Sequence, residues 1–346
     1  MKIKRTCLID DLNKVMPGIA TGTSIIDGAD TVVFDEGHIY SYNSSISVDV
    51  TESSETGLKG VVKGVDFYNS LNKLVSDEID IDVTEKEWII RDGKIKVSMT
   101  LLPPGDIFKR FKSLKPNESW TDIDGEDFNR GLSICNMQKN ISKYAGIYIK
   151  ENTFMSTDAF QINTYKAANS YPECFLSNSA VTQLLKWKDF TQVEMNKMWI
   201  QFKSSNGTIF SVRSLAIENF PFEQISDALN GYNEFPVLTE SSFTPEFYRA
   251  VERAAVFSKE DDGHEVIDII INSTGCTIKS ERTSGTYEEN VEEIKSENGD
   301  FSFELDVDMI RACRSYFDVF KLMGNDEQKI IMLLKDSSCK VSSIVG

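Results

Sequence analysis

Few residues of this sequence have the type and spacing that metal binding or catalysis requires. The chain contains two histidines, His38 and His264, and neither stands beside a cysteine or a second histidine. Zinc sites need several such ligands close together, so we interpret both histidines as solvated surface residues. The sequence also lacks a glycine-rich phosphate loop, a GxSxG nucleophile motif and an HExxH helix. It therefore predicts neither a metal site nor a bound cofactor.

Acidic pairs are the other candidates for chemistry. Adjacent carboxylates occur at Asp10-Asp11, Asp261-Asp262, Glu288-Glu289 and Glu292-Glu293. Two carboxylates can hydrolyse a glycosidic bond or hold magnesium. Most of these pairs lie in hydrophilic turns or alternate along strands, where a solvated outer face is the usual interpretation. The sequence therefore favours a protein that is not an enzyme, and a multidomain enzyme that acts on carbohydrate or uses a metal is the alternative.

The cysteines and the apolar segments indicate the compartment. Six cysteines stand at positions 7, 135, 174, 276, 313 and 339 without a CxxC pair. In a chain of this size, such scatter is typical of reduced thiols. No segment approaches the roughly 18–20 apolar residues of a membrane helix, and the N-terminus does not have the pattern of a secretory signal. We expect a cytoplasmic protein without membrane contact.

The overall charge limits any role with nucleic acid. The chain has 37 Lys and Arg against 54 Asp and Glu, so its net charge is −17 at pH 7. Such a surface repels DNA on average, and a DNA-binding protein of this composition must concentrate its basic residues in one region. The length of 346 residues predicts two or three domains, because single cores rarely grow beyond about 250–300 residues.

An internal repeat organises the elements that must position these residues. A strand, an amphipathic helix and two or three further strands recur six times, and the apolar spacing changes from three or four to two after each helix. Two repeats form one domain, which predicts domains at 1–115, 116–222 and 223–346. Pro103-Pro104-Gly105 and Phe220-Pro221 lie near the boundaries, as expected for residues that interrupt regular structure.

The repeat also predicts the fold class. Each unit has one helix and several strands, so the helices must cover one side of a sheet in an α+β arrangement. Six units in tandem predict a curved protein whose helices share one surface while the sheets form the other. Three unrelated α+β domains in a row are the alternative.

The predicted helices differ in charge from the rest of the chain. Together they contain fourteen basic and ten acidic residues, a net charge of about +4, which leaves about −21 elsewhere. Exposed helix faces commonly carry Lys and Arg, so one basic helix means little, but segregation over all six favours a lining that faces DNA. The candidate DNA-facing residues are Lys14, Lys73, Arg130, Lys139, Lys143, Lys186, Lys188, Arg249, Arg253, Arg311 and Arg314.

Five segments are spaced along the chain in the order MTLLPPGDIF, STDAFQI, ENFPFEQI, FYRAVERAAVFSKED and EENVEEI. On these segments, the chain resembles the bacterial DNA polymerase III beta sliding clamp over essentially its whole length. MTLLPPGDIF is similar to the end of the family's first domain, and STDAFQI to its Ala-Thr-Asp-Gly-His-Arg-Leu signature. ENFPFEQI resembles the entry to its third domain, FYRAVERAAVFSKED a helix of that domain, and EENVEEI its acidic outer strand. No single motif is specific, but five in register on a sixfold repeat carry the resemblance.

The resemblance implies a clamp that is not an enzyme. Three tandem domains per chain and a head-to-tail homodimer would form a ring, with helices on the inner face and sheets outside. The ring would encircle double-stranded DNA without sequence specificity and tether the replicative polymerase. A mildly basic lining would hold the DNA by topology and let it slide. A structural phage protein, such as a tail or capsid component, is a further alternative.

The resemblance also implies a pocket for partners. In the family, the DNA polymerase and the clamp loader insert a short apolar peptide between the second and third domains. The family's His-Arg is Phe160-Gln161 here, which predicts a more apolar pocket. After KIIMLLKD only SSCKVSSIVG remains, so a terminal strand is expected to be missing or shortened, and this divergence favours a phage-encoded or specialised clamp. By position, the pocket would involve Tyr144, Thr157, Ala159, Phe160, Gln161 and Ile162.

Ring closure is assigned by the same resemblance. In the family, an aromatic residue after the first domain's last strand packs on an apolar pair that ends a helix of the third domain. Those positions read Phe108, with Ile107 beside it, and Val256-Phe257. Val256 and Phe257 point about 100° apart on a helix, so a single core stripe is not expected to bury both. As alternatives, Phe108 could belong to the core between domains, and Val256-Phe257 could turn inward.

Overall fold

The structure is a computed structural model of the chain. It describes residues 1–346 except for positions 23, 55, 115, 137–143, 159–160, 233, 262–263, 297, 325–328, 336–338 and 346. Only the backbone is described at positions 260, 261, 264, 313, 329, 330, 332–335 and 339–345. None of the helices in these described ranges is long and apolar enough to cross a membrane.

The first two repeats alternate short helices with antiparallel strands. The strands are β1 (Lys2–Lys4), β2 (Thr31–Asp35), β3 (His38–Tyr42), β4 (Ile46–Thr51), β5 (Gly60–Lys63), β6 (Glu78–Val83), β7 (Glu87–Asp92) and β8 (Ile95–Thr100). The helices are α1 (Arg5–Val15), α2 (Gly64–Asn72) and α3 (Gly105–Lys112).

The next two repeats follow the same order with longer strands. The strands are β9 (Thr121–Asp122), β10 (Gly146–Thr157), β11 (Gln161–Ser177), β12 (Phe190–Asn196), β13 (Trp199–Ser204) and β14 (Ile209–Arg213). The helices are α4 (Gly125–Cys135), α5 (Asn178–Leu184) and α6 (Phe222–Tyr232).

The last two repeats complete the described chain. The strands are β15 (Val237–Ser242), β16 (Lys259–Asp261), β17 (His264–Asn272), β18 (Gly275–Arg282), β19 (Gly285–Val291), β20 (Phe301–Asp306), β21 (Val319–Gly324), β22 (Lys329–Lys335) and β23 (Cys339–Val345). The helices are α7 (Pro245–Ala254) and α8 (Val307–Cys313).

The α+β prediction is confirmed, and each predicted helix has its counterpart in α1, α2, α4, α5, α7 and α8. Two further helices, α3 and α6, were not predicted. Both begin directly after a proline, Pro104 or Pro221, that was interpreted as a boundary alone. Proline is compatible with a helix start because the first backbone N–H groups of a helix have no partner within it.

The two repeats of each third exchange their first strands. β1 precedes α1 but pairs with β6, which follows α2, and β5 precedes α2 but pairs with β2. In the last third, β15 pairs with β21 and β20 with β17. In the middle third, β9 pairs with β12, and the second half of β11 pairs with β10. This exchange interlocks neighbouring repeats, since each sheet needs a strand from the other repeat.

The chain separates into two compact units, residues 1–126 with 182–215 and residues 127–181 with 216–346. The first unit holds the sheets β1-β6-β7-β8 and β5-β2-β3-β4-β14-β13-β12-β9. The second holds β10-β11-β23-β22-β21-β15 and β16-β17-β18-β19, with β20 on β17. The pairs β4–β14 and β11–β23 thus join strands from different predicted domains, and the three domain boundaries stay a prediction.

The expected loss of a terminal strand is wrong. β21, β22 and β23 all follow α8, and β23 pairs with both β22 and β11. The sequence predicts a last helix over 306–321, whereas α8 ends at Cys313. Along β21, Phe320 and Leu322 are buried while Val319 and Lys321 are partly exposed, which is the alternation of a strand. Including these residues in the helix removed one strand from the count.

Candidate nucleic-acid interface

Three candidate DNA-facing lysines meet at one groove of the first unit. The groove has a volume of about 910 Å³ and is lined by Lys14 at the end of α1 and by Lys186 and Lys188, which follow α5. Lys186 and Lys188 are exposed and Lys14 is half-buried. Helices from different repeats therefore bring basic side chains from distant parts of the sequence to one surface.

An aromatic contact made by the half-buried Trp187 holds the two lysines after α5 in position. Trp187 stacks on Phe190, with ring centroids 5.8 Å apart, and contacts Phe210 at 5.5 Å. Backbone N–H groups of Lys186 and Trp187 donate to the carbonyls of Gln183 and Leu184. The turn is thus fixed by Trp187, while the lysines on either side of it remain exposed.

Neutral polar groups and one carboxylate, Asp189, line the groove with the lysines. Tyr68 donates its hydroxyl hydrogen to Asn13 Oδ1 at 2.7 Å, and both residues line the groove together with Asn206. Ammonium, amide and hydroxyl groups of this kind contact phosphate oxygens without reading base edges. The groove can therefore hold a phosphate backbone of any sequence.

Lys14 stands beside a carboxylate that is not solvated. Its Nζ lies 3.3 Å from Asp11 Oδ1. The other Asp11 oxygen accepts hydrogen bonds from the backbone N–H and the hydroxyl of Ser53, at 2.8 and 2.7 Å. Asp11 is buried, so this member of an acidic pair has a structural role and the solvated interpretation is wrong for it. Among the described residues, no group of three or more His, Cys, Asp or Glu could hold a metal ion.

The two candidate arginines of α7, Arg249 and Arg253, are exposed but already paired. Arg253 bonds to Glu246 at 2.9 Å and Glu289 at 2.7 Å, and Arg249 bonds to Glu246 at 3.0 Å. The hydrogen bonds to Glu289 and Glu246 raise the pKa of Arg253. Much of the positive charge counted on this helix is therefore balanced within the chain.

The remaining basic candidates are of two kinds, those that contact another side chain and those that are only known to be exposed. Arg311 is ion-paired, and the Arg314 guanidinium lies 5.3 Å from the centre of the Tyr248 ring. Lys73 and Arg130 are exposed on or next to α2 and α4. Lys139 and Lys143 lie outside the described residues.

The predicted partner pocket falls on an apolar cluster of the second unit. Ile162 of β11 is buried there, and the partly exposed Tyr144 packs against the same cluster. Thr157 and Gln161 are buried, and Gln161 Nε2 donates to Asn163 Oδ1 at 2.6 Å. Ala159 and Phe160 lie outside the described residues. The structure thus brings Tyr144 and Ile162 together and gives Gln161 a hydrogen-bonding role.

Helix α6 completes this cluster and was not anticipated from the sequence. Ile225 and Tyr232 are buried against β10 and β11, and Phe220 stacks on Tyr148 with ring centroids 5.0 Å apart. The signal was present in the spacing of Phe222, Ile225 and Tyr232, which places them on one helical face.

Solved structures match the entire chain, although no family model and no curated protein matches its sequence. The beta subunit from DNA polymerase of Streptococcus pyogenes is 16% identical, with a TM-score of 0.80 over 99% of this chain and 98% of that chain. The DNA polymerase sliding clamp from Bacillus subtilis is 15% identical, with a TM-score of 0.80 over 100% and 98%. The Helicobacter pylori beta clamp bound to DNA ligase peptide is 13% identical, with a TM-score of 0.79 over 100% and 99%.

The fold is that of a bacterial sliding clamp. The resemblance inferred from five short motifs is confirmed at the level of the fold.

Two of the strands at the edges of the described sheets are the last strands of their repeats, β8 and β19. Within the described part of the chain, β8 pairs with β7 alone and β19 with β18 alone. On β8, Ile95 is exposed and Val97 is half-buried. Val256 is 65% exposed, and Phe257 lies close to Gly285 at the start of β19. The predicted pair Val256-Phe257 therefore lies next to one of the open edges.

The other two predicted interface residues lie elsewhere. Ile107 is 2% exposed and belongs to a core cluster of the first unit with Val33 and Trp199. Phe108 packs against the same cluster, and Lys112 Nζ lies 4.1 Å from its ring centre. The alternative of a core position fits both residues, and the open edge of β8 was not identified from the sequence.

Proposed function

We propose that this chain is a DNA sliding clamp, a processivity factor that encircles duplex DNA and has no catalytic activity of its own. The observation that carries the proposal is the groove where Lys14, Lys186 and Lys188 meet on a full-length clamp fold. A multidomain enzyme would need a convergent catalytic set, and the residues that line this groove do not form one.

The charge arrangement suits sliding. Lysine ammonium groups on flexible stems contact phosphates without fixing a register, so DNA can move past them. The arginines of α7 are paired with glutamates, so they are less available to phosphates. With few phosphate contacts, the direct affinity for DNA stays low. Retention would then come from topology, and direct affinity would fall with salt in proportion to the number of phosphate contacts.

We propose that two chains close the ring head to tail through β8 and β19. The last strands of the first and fourth repeats, β4 and β14, pair with each other, as do those of the third and sixth, β11 and β23. In both cases the last strands of repeats three apart pair with each other. The last strands of the second and fifth repeats, β8 and β19, are also three repeats apart but do not pair within the described part of the chain. Pairing them between chains would cover these two edges, and uncovered strand edges promote aggregation.

Partner binding is proposed at the cluster that α6 forms with β10 and β11. The Helicobacter pylori beta clamp is described as bound to a DNA ligase peptide, which supports a peptide-binding role for this fold. A short apolar segment from a polymerase or loader would dock beside Tyr144, whose ring is partly exposed at the cluster.

The test is topological retention without a loader. Linear duplex DNA is threaded through the protein from free ends, and both ends are then blocked with streptavidin. A clamp stays on the blocked DNA at high salt and leaves after one restriction cut between the blocks. Loss at high salt before the cut, or retention after it, would contradict encirclement.

A further inference from the structure

A cleft lies on the opposite side of the eight-stranded sheet from α1. Successive strand residues point to opposite faces. On β3, the Ser41 hydroxyl donates to the Val15 carbonyl of α1 at 2.5 Å. Its neighbour Tyr40 therefore points away from α1, and its ring stacks on Phe111 of α3 with centroids 4.1 Å apart. The cleft has a volume of about 340 Å³ and lies within the first unit.

Strand register builds the floor of this cleft. Tyr40 lies opposite Asp49, and Asp49 lies opposite Ile209 across the β4–β14 junction. In the next row, Ser47 lies opposite Ser211 and Ser211 opposite Gln201. A carboxylate, two hydroxyls and an amide thus share the cleft with an aromatic ring.

Described residues on either side of position 115 form a wall of the cleft. Leu114 and Pro116 line the cleft, and the Leu114 carbonyl accepts a hydrogen bond from Gln201 Nε2 at 2.8 Å. The backbone N–H of Asn117 donates to Glu194 Oε1 at 2.8 Å. These bonds tie the wall to the sheet, so the cleft is formed before any ligand binds.

The cleft has more hydrogen-bond acceptors than donors. Glu36 and Asp49 line it, and the described lining contains no lysine or arginine. Gln201 is 1% exposed, and its Oε1 has no hydrogen-bond partner among the described residues. His38 is the basic member, and its Nδ1 lies 2.8 Å from Asp49 Oδ1. The interpretation of His38 as a solvated residue is therefore wrong, since it lies on β3 and is half-buried.

We propose that this cleft is a second docking site, which receives the arginine or lysine of a short partner segment. The cationic group would bond to Asp49 and lie against the Phe111 ring, because charge-assisted hydrogen bonds and aromatic faces both favour a cation. The Tyr40 ring stacks on both Phe111 and His38 and forms the aromatic floor of the site. An apolar neighbour in the segment would contact Leu114 and Ile209.

The internal repeat is the reason to assign a protein segment rather than a free amine. α3 and α6 each follow the last strand of an even-numbered repeat, β8 and β14. α3 covers the sheet joined at β4–β14, and α6 packs on the sheet joined at β11–β23. The cleft thus corresponds to the proposed partner site at α6, and this assignment rests on that site, whereas the cation chemistry rests on the cleft's own residues.

The experiment uses the full chain with benzamidine, an aromatic cation, and benzamide, its neutral analogue. We expect ligand-observed NMR to show benzamidine binding at least about tenfold more tightly than benzamide. Asp49→Asn should remove most of that difference and Glu36→Gln a part of it. Asp82→Asn, which removes an exposed carboxylate outside the cleft, is the matched control. Equal binding of the two probes, or no effect of Asp49→Asn in a protein with normal circular dichroism, would overturn the cation site.

A peptide arm distinguishes a protein segment from a small cation. The probes are Ac-Gly-Leu-Arg-Leu-Gly-amide and the same peptide with citrulline in place of arginine. The arginine peptide should bind more tightly than benzamidine and lose this binding in Asp49→Asn. Benzamidine binding without arginine-peptide binding would reject the docking role. Topological retention on blocked DNA should be unchanged in Asp49→Asn, so failure of this proposal and failure of the clamp proposal give different results.

Discussion

Arg311 on α8 and Glu252 on α7 form a two-point ion pair, with Nη2–Oε2 at 2.9 Å and Nε–Oε1 at 3.1 Å. The hydrogen bond to Arg311 lowers the pKa of Glu252, and the hydrogen bond to Glu252 raises that of Arg311. Both groups are therefore charged at neutral pH. The guanidinium, counted as a DNA-facing charge, is also shared with Asp308 at 3.1 Å.

The first prediction concerns the source of DNA affinity. Replacing Lys186 and Lys188 by Gln should lower the slope of log affinity against log salt by about 0.9 for each phosphate that no longer has an ammonium partner. Arg311→Gln should change the slope less, because its charge is balanced by Glu252. Binding to duplex DNA is measured over a range of salt concentrations. Lys86→Gln with Lys197→Gln is the matched control, since both are exposed lysines outside the groove. A larger effect from Arg311→Gln would show that α8 is the main DNA contact.

The second prediction concerns how much the Arg311–Glu252 pair contributes to the free energy of unfolding. Both side chains are about half exposed, at 41% and 48%, and exposed ion pairs typically contribute about 0–1 kcal/mol. Arg311→Gln should therefore lower the free energy of unfolding by less than about 1 kcal/mol. Urea unfolding of Arg311→Gln, Glu252→Gln and the double variant gives the coupling energy. A coupling of several kcal/mol would show that the pair holds α7 and α8 together.

The third prediction concerns ring closure at the β19 edge. Val256→Glu should fold normally, because the side chain is 65% exposed, and should weaken dimerisation about tenfold or more. Sedimentation should show the protein moving from twice the chain mass of 39.0 kDa toward that mass itself. Val75→Glu, at an 81% exposed valine in the first unit, should have no effect. Equal behaviour of the two variants would place closure elsewhere.

The fourth prediction separates core from interface at α3. Ile107→Ala should reduce the free energy of unfolding by about 2–5 kcal/mol, as expected for a buried isoleucine. The folded fraction should keep the dimer mass of the parent protein. Unfolding in urea and sedimentation of the folded protein are measured on the same sample. Unchanged stability together with a monomer mass would return Ile107 to the interface.

The fifth prediction concerns pH. The hydrogen bond to Asp49 raises the pKa of His38, and the charges of Asp49, Glu52 and Glu36 act in the same direction against partial burial. A raised pKa in the folded state stabilises the protein below the unfolded value of about 6.5, and this stabilisation disappears as the pH rises through the folded pKa. His38→Gln should therefore lose stability relative to the parent protein below about pH 6.5 and match it at alkaline pH.

NMR titration of the His38 ring provides the direct measurement. Asp49→Asn should lower the pKa of His38, because it removes the charge of the main partner. A stability difference that is constant with pH would assign the effect of His38→Gln to packing alone.

The sequence by itself determined the repeat and the helices that belong to it. Phe67 and Leu71 are four positions apart, as are Phe247 and Val251, so each pair lies on one face of its helix. Such local spacing can be recognised from the sequence without knowledge of the fold. The clamp resemblance depended on the order of those local patterns along the chain. Even the missed α6 had its pattern in the sequence, hidden because Pro221 was interpreted as a boundary.

Tertiary structure alone decided which distant residues meet. Arg311 pairs with Glu252, which lies 59 positions away in the sequence, and Arg253 pairs with Glu289, which lies 36 positions away. Lys14 and Lys186 share a groove, and Ile107 enters a core with Trp199. Such contacts depend on strand exchange and sheet register, and the apolar periodicity of a single segment does not show which other segment it pairs with. A charge count cannot show pairing, because Coulombic compensation requires a partner within a few ångströms.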